Sequence, residues 1–509
     1  MAYVLRAILP ALLLFAFASE AAHAQRWSRA DTKHFVVYSD GSPKALERAA
    51  TDLERLDALM RMLLSIKREE NPHRIDVYIV DGQNRVADLA GRENVAGFYS
   101  PNSQGSFIVG HRARPEPGQI SGQVVLFHEY THHLMFRYFT NAYPAWYREG
   151  IAEYLSTTEF EDDGFSIGAP ANHRAYSIRE GSYLPLEEIL VPPEKEYKGN
   201  DRFMFYPQSW VLTHYLLSDP DRNKSMLRYF GMLSNGDDPL EAAEEAFGDL
   251  DALERAVEKY GRGKIEYRRS PQPITIDGTV SVRRLDKLES DIVRARLYNR
   301  VEYKTERTRN ELKELAALHP DNAEIHVQLA IAEQNLAHEN ESLDFAAAMA
   351  AADKALEVHP NHENAHIVKA RLMFEPDDHP EIAAGETDWE AIRAHAIKAN
   401  ELNSENPRAL LTYVESFTRQ GGKVPEIAVP AMEQVFGTIP EATNVRVMLA
   451  KLHARSGNYD RALSLVSFLV GDPHNSRYGR TVVAEIEAMR DAQETSTGVA
   501  GSTQADEAD

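Results

Sequence analysis

The chain contains no cysteine. That absence excludes disulfides, a catalytic thiol, cysteine-ligated zinc, iron–sulfur clusters and lipid attachment through cysteine. Any metal centre must therefore be built from His, Asp and Glu. Positive charge is also scarce. Fifty-six Lys and Arg stand against 78 Asp and Glu, a formal charge of −22, which argues against nucleic acid or an anionic membrane surface as the main partner. Long apolar runs are missing too. The most apolar stretch, Ala7 to Ala18, has twelve residues and contains Pro10, whereas a membrane span needs roughly 20.

What is present begins with a processing signal. Arg6 precedes the apolar run, and Ala22-His23-Ala24 forms a small-x-small site before Gln25, the pattern of a secretory signal peptide over residues 1–24. The expected product is exported, periplasmic or secreted, with no membrane span once the signal is removed. At about 100–200 residues per domain, 509 residues predict two to four domains.

Residues 25–270 alternate strand-like and helix-like segments. His34–Ser39 and Arg74–Val80 are β-branched and aromatic, and Gly97–Pro101 and Ser106–Gly110 flank an Asn102-Ser-Gln-Gly105 turn. Ala45 to Lys67, Gly122 to Phe139 and Ala145 to Ser156 carry helical periodicity. The pattern predicts an α+β domain. Residues 161–200 read as loop, helices resume near Tyr206, and Gly261-Arg-Gly263 through Pro273 marks the expected boundary.

Residues 285–491 are almost entirely helix-forming, and proline turns recur there: His319-Pro320, His359-Pro360, Asn406-Pro407, Ile439-Pro440 and Asp472-Pro473. The last two intervals are 33 residues, while Pro320–Pro360 and Pro360–Pro407 are 40 and 47, so the early units carry insertions, one containing Glu375-Pro-Asp-Asp-His-Pro380. With Ala-rich stretches such as Ala351–Pro360 before the turns, the array resembles tetratricopeptide (TPR) repeats, an all-α solenoid that recruits a protein partner. Residues 311–390 hold −14 of the net charge, which reads as a solvated repeat surface. Residues 492–509 read as a disordered tail.

The chemistry concentrates at His128-Glu129-Tyr130-Thr131-His132. Histidines at i and i+4 share one helical face and can reach one zinc ion, and Glu129 between them is placed to take a proton from the attacking water. Downstream runs Pro144-Ala-Trp-Tyr-Arg-Glu-Gly-Ile-Ala-Glu-Tyr154. Together the two segments resemble the gluzincin (peptidase MA-like) zinc metallopeptidases, here fused to TPR repeats. The resemblance implies Zn2+ as cofactor, a peptide or protein substrate, and Glu149, seventeen residues after His132, as the third ligand. It also implies that Glu153 hydrogen-bonds a ligand histidine. Arg148 departs from the pattern, standing where aminopeptidases of that group usually carry Asn.

Several roles keep rivals. Glu153 and Glu159 compete with Glu149 for the metal. Tyr206 is the candidate oxyanion donor, with Tyr176 and His173 as alternatives. The Ser106–Gly110 strand is a candidate platform for an added peptide strand. His133 points away from the His128–His132 face, His111 reads as a loop residue, and Trp146 and Trp210 read as packing. The alternative function is a catalytically inactive gluzincin-like domain inside a TPR scaffold protein.

Overall fold

The computed structural model describes residues 26–67, 73–113, 120–139, 143–170, 174–191, 199–379, 387–421, 424–470 and 476–505. The expected signal peptide and His173 lie outside them. No helix among the described residues is long and apolar enough to cross a membrane.

The first domain is built on β1 (Ser28–Asp31), β2 (Phe35–Ser39), α1 (Pro43–Leu63), β3 (Ile75–Val80), α2 (Gln83–Ala90), β4 (Phe98–Ser100) and β5 (Phe107–His111). Strands β2, β3 and β5 run parallel at the centre, and every residue of β2 and β5 is buried. That explains their unbroken apolar runs, because both faces are covered. Phe35, Val37, Val77, Ile79 and Ile108 share one core with Leu53, Leu56 and Met60 of α1. Val36, Tyr38, Tyr78, Phe107 and Val109 face the opposite side.

After the sheet come α3 (Gly122–Tyr138), α4 (Ala145–Ser156), β6 (Glu159–Glu161), β7 (Gly164–Ile167), α5 (Ala175–Glu180), α6 (Leu186–Leu190), α7 (Gly199–Leu217), α8 (Pro220–Asn235), α9 (Pro239–Phe247) and α10 (Leu250–Arg262). The expected loop over 161–200 thus contains β7, α5 and α6, elements of four to six residues, too short to register a period. Two further short strands correct the expected boundary: β8 (Arg268–Ser270) pairs with β7, and β9 (Ser281–Arg284) extends the main sheet beyond β1. The domain therefore runs to Arg284. Sequences such as Arg-Arg-Ser and Ser-Val-Arg-Arg have no apolar alternation to betray them. The main sheet's order is β4-β5-β3-β2-β1-β9.

The helical array follows: α11 (Lys287–Arg300), α12 (Thr305–Leu318), α13 (Ala323–Glu339), α14 (Ala346–Val358), α15 (Glu363–Leu372), α16 (Glu375–Asp378), α17 (Trp389–Leu402), α18 (Pro407–Gln420), α19 (Ala428–Thr438), α20 (Thr443–Arg455), α21 (Tyr459–Val470) and α22 (Ser476–Ala505). Consecutive helices pack on one another and bury Ala-rich seams, Ala348, Ala351, Ala352 and Ala355 of α14 among them. This is a TPR-type helical repeat region: Pro320, Pro360 and Pro440 sit in turns between its helices, Pro407 opens α18, and Pro473 lies outside the described residues. The turns share a lock: six residues after the proline, His326, His366 and Arg446 each hydrogen-bond the carbonyl of Pro320, Pro360 and Pro440. Helix α22 packs on α21 through Val482 and Ile486, and its backbone stays helical to Ala505.

The array touches the domain at both ends. Val293 and Leu297 of α11 cover the second face of the sheet, and Arg300 pairs with Asp76 at 2.8 Å. At the far end, the turn between α19 and α20 meets the C-terminal end of α3.

Candidate metal centre

Helix α3 starts where Ser121 caps it by accepting from the Val124 backbone N–H. Phe127, Tyr130 and Leu134 bury one side of the helix in the core. His128 and His132, one turn apart, project from another side with Nε2 atoms 3.1 Å apart. Helix α4 runs back against α3 after Pro144, all twelve of its residues buried. Its Glu149 Oε2 lies 3.4 Å from His128 Nε2 and 3.5 Å from His132 Nε2.

Glu149 is only 2% exposed, and Oε2 has no hydrogen-bond partner. A buried carboxylate oxygen facing two imidazole nitrogens calls for a cation among them, either a protonated imidazole or a metal ion. Ligands set tetrahedrally at about 2.0–2.1 Å from zinc stand roughly 3.3 Å from one another. The three donor atoms already have that spacing, and their identities fit zinc. Glu159 does not join them: it lies exposed on β6.

The electrostatics agree with the geometry. Burial pushes the His128 imidazole down, but Glu149, Glu153 and Glu129 around it raise it to about 9. Burial would lift the Glu149 carboxyl, yet His132 and His128 hold it well below the usual carboxylate range. Carboxylates gathered on two imidazoles make a pocket that favours positive charge.

Glu153, one turn after Glu149, stands on the His128 side, with Oε1 3.9 Å from His128 Nδ1. That is too long for the hydrogen bond the resemblance implied. Arg174 holds the carboxylate instead, its Nη2 and Nε donating to Oε1 at 2.7 and 3.2 Å. The guanidinium also lies 5.3 Å over the Tyr206 ring. Tyr206, half-buried on α7, is thus linked to Glu153 through Arg174. Tyr176 is 75% exposed on α5. Arg174 escaped the sequence reading because it lies in the stretch taken for loop.

Two glycines permit the close packing. A Cβ on Gly150 would meet Thr213 Oγ1 at 2.1 Å and the Ser209 carbonyl at 2.4 Å, so glycine there lets α4 cross α7 beside Glu149. A Cβ on Gly97 would meet Val125 Cγ1 at 2.0 Å and Glu129 Cγ at 3.6 Å, so the chain entering β4 runs directly beside Glu129. This corrects the expected peptide platform. Strand β5 is paired on both sides, to β3 and β4, and the edge strand is β4. The Asn102–Gly105 turn folds β4 outside β5, which the sequence order alone does not reveal.

The remaining residues are structural. His133 is buried, 3.1 Å from the Tyr99 hydroxyl, with its imidazole pushed down to about 4 by burial. His111 is buried at the end of β5 rather than in a loop; the arginines after it disguised the strand. Trp146 and Trp210 are core residues. Arg148 is buried with its guanidinium 5.7 Å over Phe136, at the end of α3 that meets the array.

The chain matches no family model and no curated protein. Among solved structures, a thermophilic TPR protein of Thermus thermophilus aligns with 40% of this chain and 99% of its own, at 12% identity and a TM-score of 0.32. Pseudomonas aeruginosa pilF aligns with 39% and 88%, at 16% identity and a TM-score of 0.30. Yeast Tom70 aligns with 72% and 69%, at 14% identity and a TM-score of 0.27. Likenesses this slight carry no function across.

Proposed function

We propose that the chain is an exported zinc-dependent peptidase of gluzincin type, whose TPR-type array recruits a substrate or partner protein. One observation carries the reading: three donor atoms of His128, His132 and Glu149 stand 3.1–3.5 Å apart, the buried Glu149 Oε2 lacking any hydrogen-bond partner. Zinc on these residues would supply a water with a pKa near about 7 and a positive charge for the scissile carbonyl oxygen.

The chain's own residues do the rest. Glu129, half-buried beside His128, holds the proton of the attacking water on its carboxylate and delivers it to the leaving nitrogen. The free edge of β4 beside Glu129 accepts an extended peptide as an added strand. Glu153, kept in place by Arg174, sets its negative charge 3.9 Å from the Nδ1 of His128. Tyr206 is the oxyanion donor in this reading.

The repeat region favours a second reading, in which the array binds a protein partner and the first domain turns nothing over. Peptide cleavage by the wild-type chain and by Glu129→Gln, each loaded with zinc, separates the two. Loss of cleavage in the variant at unchanged zinc content supports the peptidase; equal or absent cleavage in both supports the scaffold.

A further inference from the structure

Among the described residues, three groups bring His, Asp or Glu donor atoms within 4.8 Å of one another. The first is the centre on α3 and α4. The second, His34, Glu54 and Asp57, is already satisfied internally. Glu54 accepts from the His34 backbone N–H at 2.7 Å and contacts its Nδ1 at 2.8 Å, while Asp57 accepts from Arg61 and from the Tyr130 hydroxyl. It needs nothing further. The third group leaves one buried carboxylate oxygen, Glu375 Oε2, without a hydrogen-bond partner.

That group comprises His338 in the last turn of α13, Glu375 at the start of α16, and His379 just past its end. Glu375 is 4% exposed, and no lysine or arginine among the described residues lies within ion-pair reach of it. Its Oε1 accepts from Gln334 Nε2 at 2.5 Å and faces His338 Nε2 at 3.2 Å. Its Oε2 has no hydrogen-bond partner, with His379 Nε2 3.7 Å away. The Phe345 ring lies against both imidazoles, 5.0 Å from His338 and 6.1 Å from His379, and limits how they can turn. A buried carboxylate with one oxygen bare, between two imidazole nitrogens, again favours a cation at that point.

We propose that His338, Glu375 and His379 form a second divalent transition-metal site, within the helical array. Two imidazoles and a carboxylate suit zinc, cobalt or nickel rather than calcium or magnesium, whose ligands are oxygens. The partly exposed edge at His338 leaves room for water to complete the coordination. The site also gives the insertion a purpose. Glu375-Pro-Asp-Asp-His379 belongs to the extra sequence that lengthens the Pro360–Pro407 interval to 47 residues, and a metal there would pin it to the end of α13. The role is structural: the ion ties an inserted turn to the preceding repeat, apart from the centre on α3. The inference does not depend on the peptidase reading.

The test is zinc content of the purified full chain after equilibration with zinc chloride and removal of free metal. The wild type is expected to hold two zinc ions per chain. His379→Ala and Glu375→Gln are each expected to hold one, His132→Ala one, and the His132→Ala, His379→Ala double variant none. Glu375→Gln keeps the side-chain volume and a carbonyl oxygen for Gln334, and circular dichroism checks that it folds. In the His132→Ala background, cobalt is expected to develop visible absorption that His379→Ala removes. The proposal is overturned if His379→Ala and Glu375→Gln keep the wild-type zinc content. It is equally overturned if the wild type holds a single zinc that His132→Ala abolishes, a result that leaves the centre on α3 intact.

Discussion

Arg137, in the last turn of the helix that carries His128 and His132, forms a buried ion pair with Glu441 of the helical array, Nη1 to Oε2 at 3.2 Å. Ser106 donates to the other Glu441 oxygen, Arg137 also donates to the Thr438 carbonyl, and Arg446 donates to the Phe136 carbonyl at 2.6 Å. The array thereby caps the end of the site helix. Removing one partner of a buried pair leaves the other charge stranded, at a cost of about 3–5 kcal/mol. Glu441→Ala is expected to destabilise the chain by that amount in a denaturant titration. A variant as stable as wild type would show that the array is not docked through this pair.

His128 sets a pH dependence in the metal-free chain. Its pKa is raised from the usual 6.5 to about 9 by the carboxylates around it, against the pull of burial. A raised histidine contributes stability that is complete below the unfolded value and is lost as pH rises through the folded one. With chelator present, the melting temperature is expected to fall between pH 6.5 and 9. Zinc competes with the same proton, so the stabilisation that zinc gives should grow over this window. A metal-free chain whose melting temperature is flat or rising there would contradict the assignment.

The parts of this architecture legible from sequence are those set by local spacing. The i, i+4 placement of His128 and His132 needs only a helix, and apolar periodicity supplied α3 and α4. The proline intervals carried the array in the same way. Position 149 needed more, a resemblance over a short segment, because spacing cannot say that α4 folds back on α3. Contacts across hundreds of residues left no trace: Glu441 and Arg446 are ordinary helix-turn residues until the array curls back onto Phe136 and Arg137. Arg174 was hidden by the shortness of α5, and the role of Glu375 and His379 by lying inside an insertion.

In the proposed reading Glu153 acts on the centre through its charge, without supplying a ligand. It sits 3.9 Å from His128 Nδ1 and is gripped by Arg174. Removing a residue that supports a ligating histidine from outside the ligand set typically costs about 10–100-fold in metal affinity. Glu153→Ala is expected to weaken zinc binding at the α3–α4 centre by that factor in a chelator competition, while saturating zinc still fills the site. Unchanged affinity would reduce Glu153 and Arg174 to an ordinary buried ion pair.

Gly150 links packing to the proposed metal ligands most directly. A methyl group there would lie 2.1 Å from Thr213 Oγ1 and 2.4 Å from the Ser209 carbonyl, and the second obstacle is backbone that no rotamer change removes. Helices α4 and α7 must separate, and Glu149, the neighbouring residue, must move with α4. Overpacking of this kind costs about 1–3 kcal/mol. Gly150→Ala is therefore expected to lower both the melting temperature and the zinc affinity. Adding Thr213→Ala relieves the hydroxyl clash alone, so it should recover only part of either loss. A Gly150→Ala chain that melts and binds zinc like the wild type would mean that the α4–α7 crossing does not set the position of Glu149. Full recovery by Thr213→Ala would place the constraint on that side chain rather than on the α7 backbone.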